Sequence, residues 1–503
     1  MSSWLSEREQ RLVEGAENLE FDSPVPTQIV SNGEYLPPKQ SPIQKQVEER
    51  IKELADENAK YLGMSRRQFL QTSCGMATAF LAMSQVYGTD AFRVSEAEAR
   101  EPDMMLERAN ALSGQFIFDD QTHFLRDDFA HEAILGLGEF AAEHWNPKLK
   151  EEGLSLTRYK FENYIRELWY NSDTKMALLS GAPFDDPSWW LLSNDQIINA
   201  RESTNTFAGS RRLLGHSVIT PSQDGWMDEV DRAIEVLKPD SWKSYTIGDP
   251  LSPSKYPWRL DDEALMYPFY EKAIKSGINT ICIHKGLMPP DYEESFKGVW
   301  EYATAWDIAK AAKDWPEMNF VIYHSCLRPF LELPDQAWAE FEATGDIKWA
   351  SDLARIPEEH GVTNVYGEIG STFANSAVAH PRFCAAFIST LVKGLGADHV
   401  VWGSDTVWYG SPQWQIEAMR RLEVPDDMQA KYNLPALGGA NSLTKQAIFG
   451  LNSSRIYDLT LNSATNLPDM PTFSEDRLAQ LATDYRESGE GPSNKRYGYV
   501  RTV

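Results

Sequence analysis

Cysteine is scarce in this chain. Its 503 residues include four, Cys74, Cys282, Cys326 and Cys384, with no Cys-x-x-Cys pair and no zinc-ribbon spacing. That excludes a disulfide framework and a thiolate metal site as organising features. Cys282 and Cys326 lie inside or beside apolar runs and read as core residues. Positive charge is also short, 48 Lys and Arg against 74 Asp and Glu, for a formal net charge of -26. A field of that sign argues against nucleic acid or an anionic membrane surface as partner and leaves a small molecule or a cation as ligand. Long hydrophobic runs are missing too: the apolar stretch up to Met83 is too short for an ordinary transmembrane helix. A homo-oligomer is compatible with all of this.

What is present divides into four parts. Residues 1–63 are polar, with Pro-rich pieces such as Ser23-Pro24-Val25-Pro26, and predict an extended arm without a compact core, leading into a helix near Gln44 to Tyr61. Residues 64–99 open with Met64-Ser65-Arg66-Arg67-Gln68-Phe69-Leu70 and continue apolar and uncharged to Met83. A twin arginine before a short apolar segment has the form of a twin-arginine export signal and predicts a periplasmic protein, with Ala97-Glu98-Ala99 as a small-residue cleavage site. The alternative is a short buried helix in a cytoplasmic protein. Residues 115–459 carry the regular elements, and 460–503 form a tail with Pro, Gly and charge that wraps the rest or stays mobile.

Within 115–459 four segments share one build: Ile278 to His284, Met318 to His324, Val362 to Glu368 and Asp398 to Asp405. Each is short, rich in β-branched or aromatic residues, and closed by a titratable side chain. The closing residues are 40, 44 and 37 positions apart, room for one loop, one helix and one return. Four earlier runs, at 115–119, 175–179, 212–219 and 241–245, bring the count to eight. The fold class is therefore α/β, a (β/α)8 TIM barrel with an N-terminal extension and a C-terminal tail.

Chemistry in such a barrel sits at the carboxyl ends of the strands. The first strand runs on through Gln121-Thr122-His123, where residues two apart point the same way. Gln121, His123, His284 and Asp405 then make a site for a divalent cation, with Gln121 adding only a neutral carbonyl oxygen. Lys243 and Arg328 are candidates for holding an anionic substrate group. Glu368 reads as support at the mouth, and Trp408 as part of an aromatic wall. His131, His144, His360, His380 and His399 read as structural.

These pieces resemble the metal-dependent amidohydrolase superfamily, in the branch that includes aminocarboxymuconate-semialdehyde decarboxylase. The resemblance rests on Gln121-Thr122-His123 in place of His-x-His or Glu-x-His, on His284 and His324, on Val401-Trp402-Gly403-Ser404-Asp405, and on the final helix Ala447 to Tyr457. It implies metal ligation by His123, His284 and Asp405 and a catalytic role for His324, with zinc as the cation and manganese as the alternative. It departs at Gln121, since a neutral amide binds a divalent ion more weakly. The leading expectation is a hydrolase acting on an amide, ester or lactone through metal-activated water, with Asp405 or His324 as the base. The alternatives are a metal-dependent decarboxylase of an aromatic or unsaturated acid, and a degenerate barrel that only binds.

Overall fold

Eight apolar runs become eight strands that pair in chain order, all parallel: β1 (Phe118–Thr122), β2 (Met176–Leu179), β3 (Leu213–Val218), β4 (Ser241–Tyr245), β5 (Thr280–His284), β6 (Asn319–Tyr323), β7 (Val365–Glu368) and β8 (Val400–Val401). The computed structural model describes residues 23–29, 40–129, 131, 155–289, 291–328, 334–459, 468 and 470–488. Residues 1–22, Leu36-Pro37-Pro38, His144 and the last fifteen positions lie outside them.

The sheet closes on itself where β1 meets β8. Asp120 N–H donates to the Trp402 carbonyl at 2.9 Å, Asp405 N–H donates to the Gln121 carbonyl at 2.9 Å, and Thr122 bridges Thr406 in parallel. This is a TIM barrel. β8 has only two regular residues, so the seam is carried by the chain beyond it. The final helix holds that seam: Asn452 Nδ2 donates to the carbonyls of Ala397 (2.9 Å) and Val400 (2.8 Å), and the Ser453 hydroxyl donates to Asp120.

Parallel strands covered on both faces need apolar residues in and out. The inward set includes Phe118, Met176, Leu178, Leu214, Cys282, Val321, Tyr323 and Val401. The outward set, among them Ile281, Ile283, Phe320 and Ile322, packs against the surrounding helices. β1 begins three residues later than the sequence suggests, at Phe118, and has a register shift between Asp119 and Thr122.

The amino-terminal part differs from the expected arm without a core. The helix α1 (Pro42–Leu62) starts at a Ser41/Gln44 capping box and ends at the left-handed Gly63. It buries Val47, Ile51, Ala55 and Ala59 against α3 (Ser73–Tyr87), itself buried from Cys74 to Met83. Between them α2 (Arg66–Leu70) is capped by Ser65, which places Arg66 and Arg67 in its first turn. Tyr87 donates to the Ala379 carbonyl at 2.8 Å, and Glu98 pairs with Arg421 at 3.1 Å, tying this layer to the barrel helices. Ile29 is buried with Leu287, in the loop after β5. No helix among the described residues is long and apolar enough to cross a membrane. At the other end, Asp476 forms a buried ion pair with Arg212 (2.6 Å) and Phe473 stacks on Phe116, so this part of the tail wraps the barrel.

Candidate active site

The strand ends bring Gln121, His123, His284, His324, Glu368 and Asp405 together, each at most 2% exposed. His123 Nε2 lies 3.2 Å from Asp405 Oδ1, and His123 Nδ1 faces the Ser180 carbonyl at 2.9 Å. Both ring nitrogens of His123 therefore face oxygen atoms. The Ser371 hydroxyl donates to Asp405 Oδ2 and is linked to the Tyr409 hydroxyl at 2.6 Å. Burial pushes the Asp405 carboxyl up, but His123, His324 and Ser371 more than offset this and hold it below the usual carboxylate range.

His324 is neutral for a physical reason. Burial drives its pKa down to about 4, against the raising effects of Asp405 and the Gly370 carbonyl. Its Nδ1 donates to that carbonyl at 2.7 Å, leaving Nε2 to accept from the Gln121 amide at 3.4 Å. The His284 ring meets the His324 ring edge-on at 4.5 Å and stacks on Tyr245 at 4.2 Å; burial, His324 and Lys243 hold it well below the ordinary imidazole range. Glu368 accepts the His324 N–H at 3.1 Å and the Gly370 N–H. Burial pushes its carboxyl well up, against the lowering effects of these two N–H donors and of Lys243.

The backbone here is bent out of the common regions. His324, Ser325 and Cys326 have φ of 67°, 48° and 55°, and Ser371 and Asp405 both have 58°. Left-handed conformations at non-glycine residues cost about 1–3 kcal/mol each and gather at functional sites. Gly403 has a different constraint: a Cβ there would lie 1.8 Å from a Glu368 oxygen, so no larger residue fits beside that carboxyl.

Of the other sequence candidates, Trp408 covers His123 with ring centroids 6.2 Å apart, and Lys243 is wholly buried inside the barrel. Arg328 instead donates to the Tyr292 hydroxyl at 3.3 Å, with its guanidinium 5.7 Å from the Trp349 ring. The structure adds residues with no assigned role in the sequence. Asp119 takes the Ser404 N–H at 2.9 Å, and burial pushes its carboxyl up to about 7. Ser371, Tyr409, Tyr245 and His216 complete the surroundings. Asp119 sits two positions before Gln121 on a strand ending in ligand-type residues, a signal that was readable; Ser371 carries none.

A divalent cation does not fit the donor set as it stands. Among the described residues no three His, Cys, Asp or Glu side chains are grouped as a metal ion would require, so the expected His123, His284 and Asp405 ligand set is not assembled. Two of the candidate donors, His123 and Asp405, pair with each other, and Gln121 bonds His324 instead.

Residues 210–459 match the amidohydrolase family. The amidohydrolase match takes in β3 to β8 and the final helix, and leaves β1, with Gln121 and His123, upstream of it. The chain is also similar to solved structures: a TIM-barrel protein of Bordetella bronchiseptica (13% identity, 68% of this chain and 98% of that one, TM-score 0.42); a 5-carboxyvanillate decarboxylase of Novosphingobium aromaticivorans with bound manganese (14%, 69% and 98%, 0.40); and a dihydroxybenzoic acid decarboxylase of a Polaromonas species, also with manganese (14%, 70% and 99%, 0.39). A search of curated proteins finds no match.

Proposed function

We propose that this chain is a decarboxylase of small aromatic or unsaturated carboxylic acids, the substrate class named for two of the structural neighbours. The observation that carries the reading is the buried His123–Asp405 couple, an imidazole and a carboxylate 3.2 Å apart in a site closed to solvent. Decarboxylation breaks the bond between the carboxylate carbon and its neighbour, leaves the electron pair on that neighbour, and needs one proton delivered there as CO2 departs. A proton held between an imidazole and a carboxylate is positioned for such a transfer. His324, neutral and oriented by the Gly370 carbonyl, is the second group within reach. Gln121 holds that imidazole in place and Glu368 holds the His324 backbone N–H, and neither reacts.

Hydrolysis through a metal-bound water has less support, because it requires a ligand set that the donors do not form. The test is a panel of hydroxylated benzoates labelled with 13C in the carboxyl group. Labelled CO2 should appear, with one solvent deuterium entering the product in D2O. Turnover of esters, amides or lactones without CO2 release would overturn the reading, and binding without turnover would favour a non-catalytic barrel.

A further inference from the structure

Lys243 occupies the middle of β4, paired in register with Val218 on one side and Cys282 on the other. Its neighbour Trp242 points outward, packing edge-on against Phe269 at 5.3 Å and donating to the Ile278 carbonyl at 2.8 Å. Strand alternation therefore turns Lys243 into the barrel, where it is fully buried. Its ammonium lies 3.6 Å from the centre of the Tyr323 ring and 5.0 Å from that of Tyr245. Tyr245 stacks on His284, and the Tyr323 hydroxyl contacts His216 Nε2 at 3.2 Å. The charge reaches the whole mouth: after burial, it helps depress His216, His284 and His324, and it acts to lower Glu368 against the raising effect of burial.

A positive charge is thus built into the barrel interior, one aromatic ring away from His284. Aromatic faces stabilise an ammonium without cancelling its charge. A second, divalent cation beside it would add repulsion in a low-dielectric interior, with Asp405 as the ionised carboxylate nearby and Gln121 contributing no charge. Of the imidazoles expected to ligate a metal, His123 is engaged with Asp405 and His284 is stacked on Tyr245.

We propose that the Lys243 ammonium, in place of a divalent cation, is the positive centre that binds the carboxylate or phenolate of the substrate. The inference rests on the acid substrate of the proposed decarboxylation, yet it fails separately from it. Lys243 holds the anionic group against the floor of the site while the His123–Asp405 couple supplies the proton. No covalent step at lysine is involved.

The experiment uses the full-length chain grown with added zinc and manganese. Metal content is measured by elemental analysis, and binding of 2,6-dihydroxybenzoate and of the neutral 2,6-dihydroxybenzamide by calorimetry, before and after dialysis against EDTA. Substoichiometric metal and acid binding indifferent to EDTA are expected. Lys243→Met should weaken binding of the acid about 10- to 100-fold, the range for loss of a charge-assisted hydrogen bond, and leave the amide unchanged. Lys243→Arg should retain most of the preference for the acid, and it keeps the question answerable if the methionine variant fails to fold. A stoichiometric divalent cation whose removal abolishes acid binding would overturn the proposal. So would a Lys243→Met protein that keeps the wild-type preference for acid over amide, or a wild-type protein that binds no acid. If Lys243 governs that preference but no CO2 is released, the decarboxylase reading falls and this inference stands.

Discussion

Lys243 on β4 and Lys285, one residue past the end of β5, are both wholly buried, and their settings are opposite. Lys285 pairs with the equally buried Asp307 at 2.9 Å and donates to the Tyr302 carbonyl at 2.7 Å, while Asp307 also takes the Leu260 N–H at 2.9 Å. Lys243 faces tyrosine rings inside the barrel, among imidazoles that its charge helps keep neutral. Lys285 is answered by a carboxylate and belongs to the frame; Lys243 is set against aromatic faces, where the proposed role as an anion-binding centre would place it. The lesson is that burial alone does not separate structural from functional charge. The identity of the surrounding groups does.

The contrast is broken most directly at the frame. Lys285→Met strands the Asp307 carboxylate in an apolar layer and should cost about 3–5 kcal/mol, read as a lower urea midpoint. Lys243→Met, which removes a cation set on tyrosine rings, should lose clearly less. Equal losses would erase the distinction. At the mouth, Asp405→Asn should reduce CO2 release roughly 10³-fold while the melting transition stays in place, and a variant that lost both together would make Asp405 part of the frame.

The frame also carries a pH weakness of its own. His380 caps the helix Pro381–Leu395 by accepting the Phe383 N–H at 3.0 Å, and burial lowers its pKa to about 4 despite the opposing Asp335 charge. A folded-state pKa below the ordinary 6.5 means that the unfolded chain takes up the proton first. The contribution is intact above pH 6.5 and is lost as pH falls from 6.5 to about 4, a total of about 3 kcal/mol. His380→Asn, which caps without titrating, should flatten the stability profile over that window. The smallest effect should come from Ser193→Ala, which removes the capping box of the helix Asn194–Ala208 and costs about 1 kcal/mol, with binding at the mouth unchanged.

The eight strands were legible because parallel barrel strands are apolar on both faces, and their spacing matched the expected helical returns. The strand-end residues His123, His284, His324, Glu368 and Asp405 stood out for the same reason: each closes an apolar run or shortly follows one. Ser371 did not, since a serine past a strand looks like any turn residue until its hydroxyl is found on Asp405. Nor did the left-handed backbone of His324 to Cys326, which neighbouring strands impose against local preference. The helix near Gln44 to Tyr61 was legible, but its packing was not. Its polar composition reflects the exposed face of the first helix, while Val47, Ile51 and Ala55 recur at helical spacing on the buried one.

The seam between β1 and β8 has a consequence for how the protein is made. The Ser404 hydroxyl reaches Asp119 across 285 positions of sequence, and the same joint brings Asp405 to His123. A growing chain leaving the ribosome carries His123 through nearly the whole synthesis of the barrel before its partner Asp405 exists. Fragments that stop short of Asp405 lack both the closing seam and one half of the pair, so neither can be shared by such partial products.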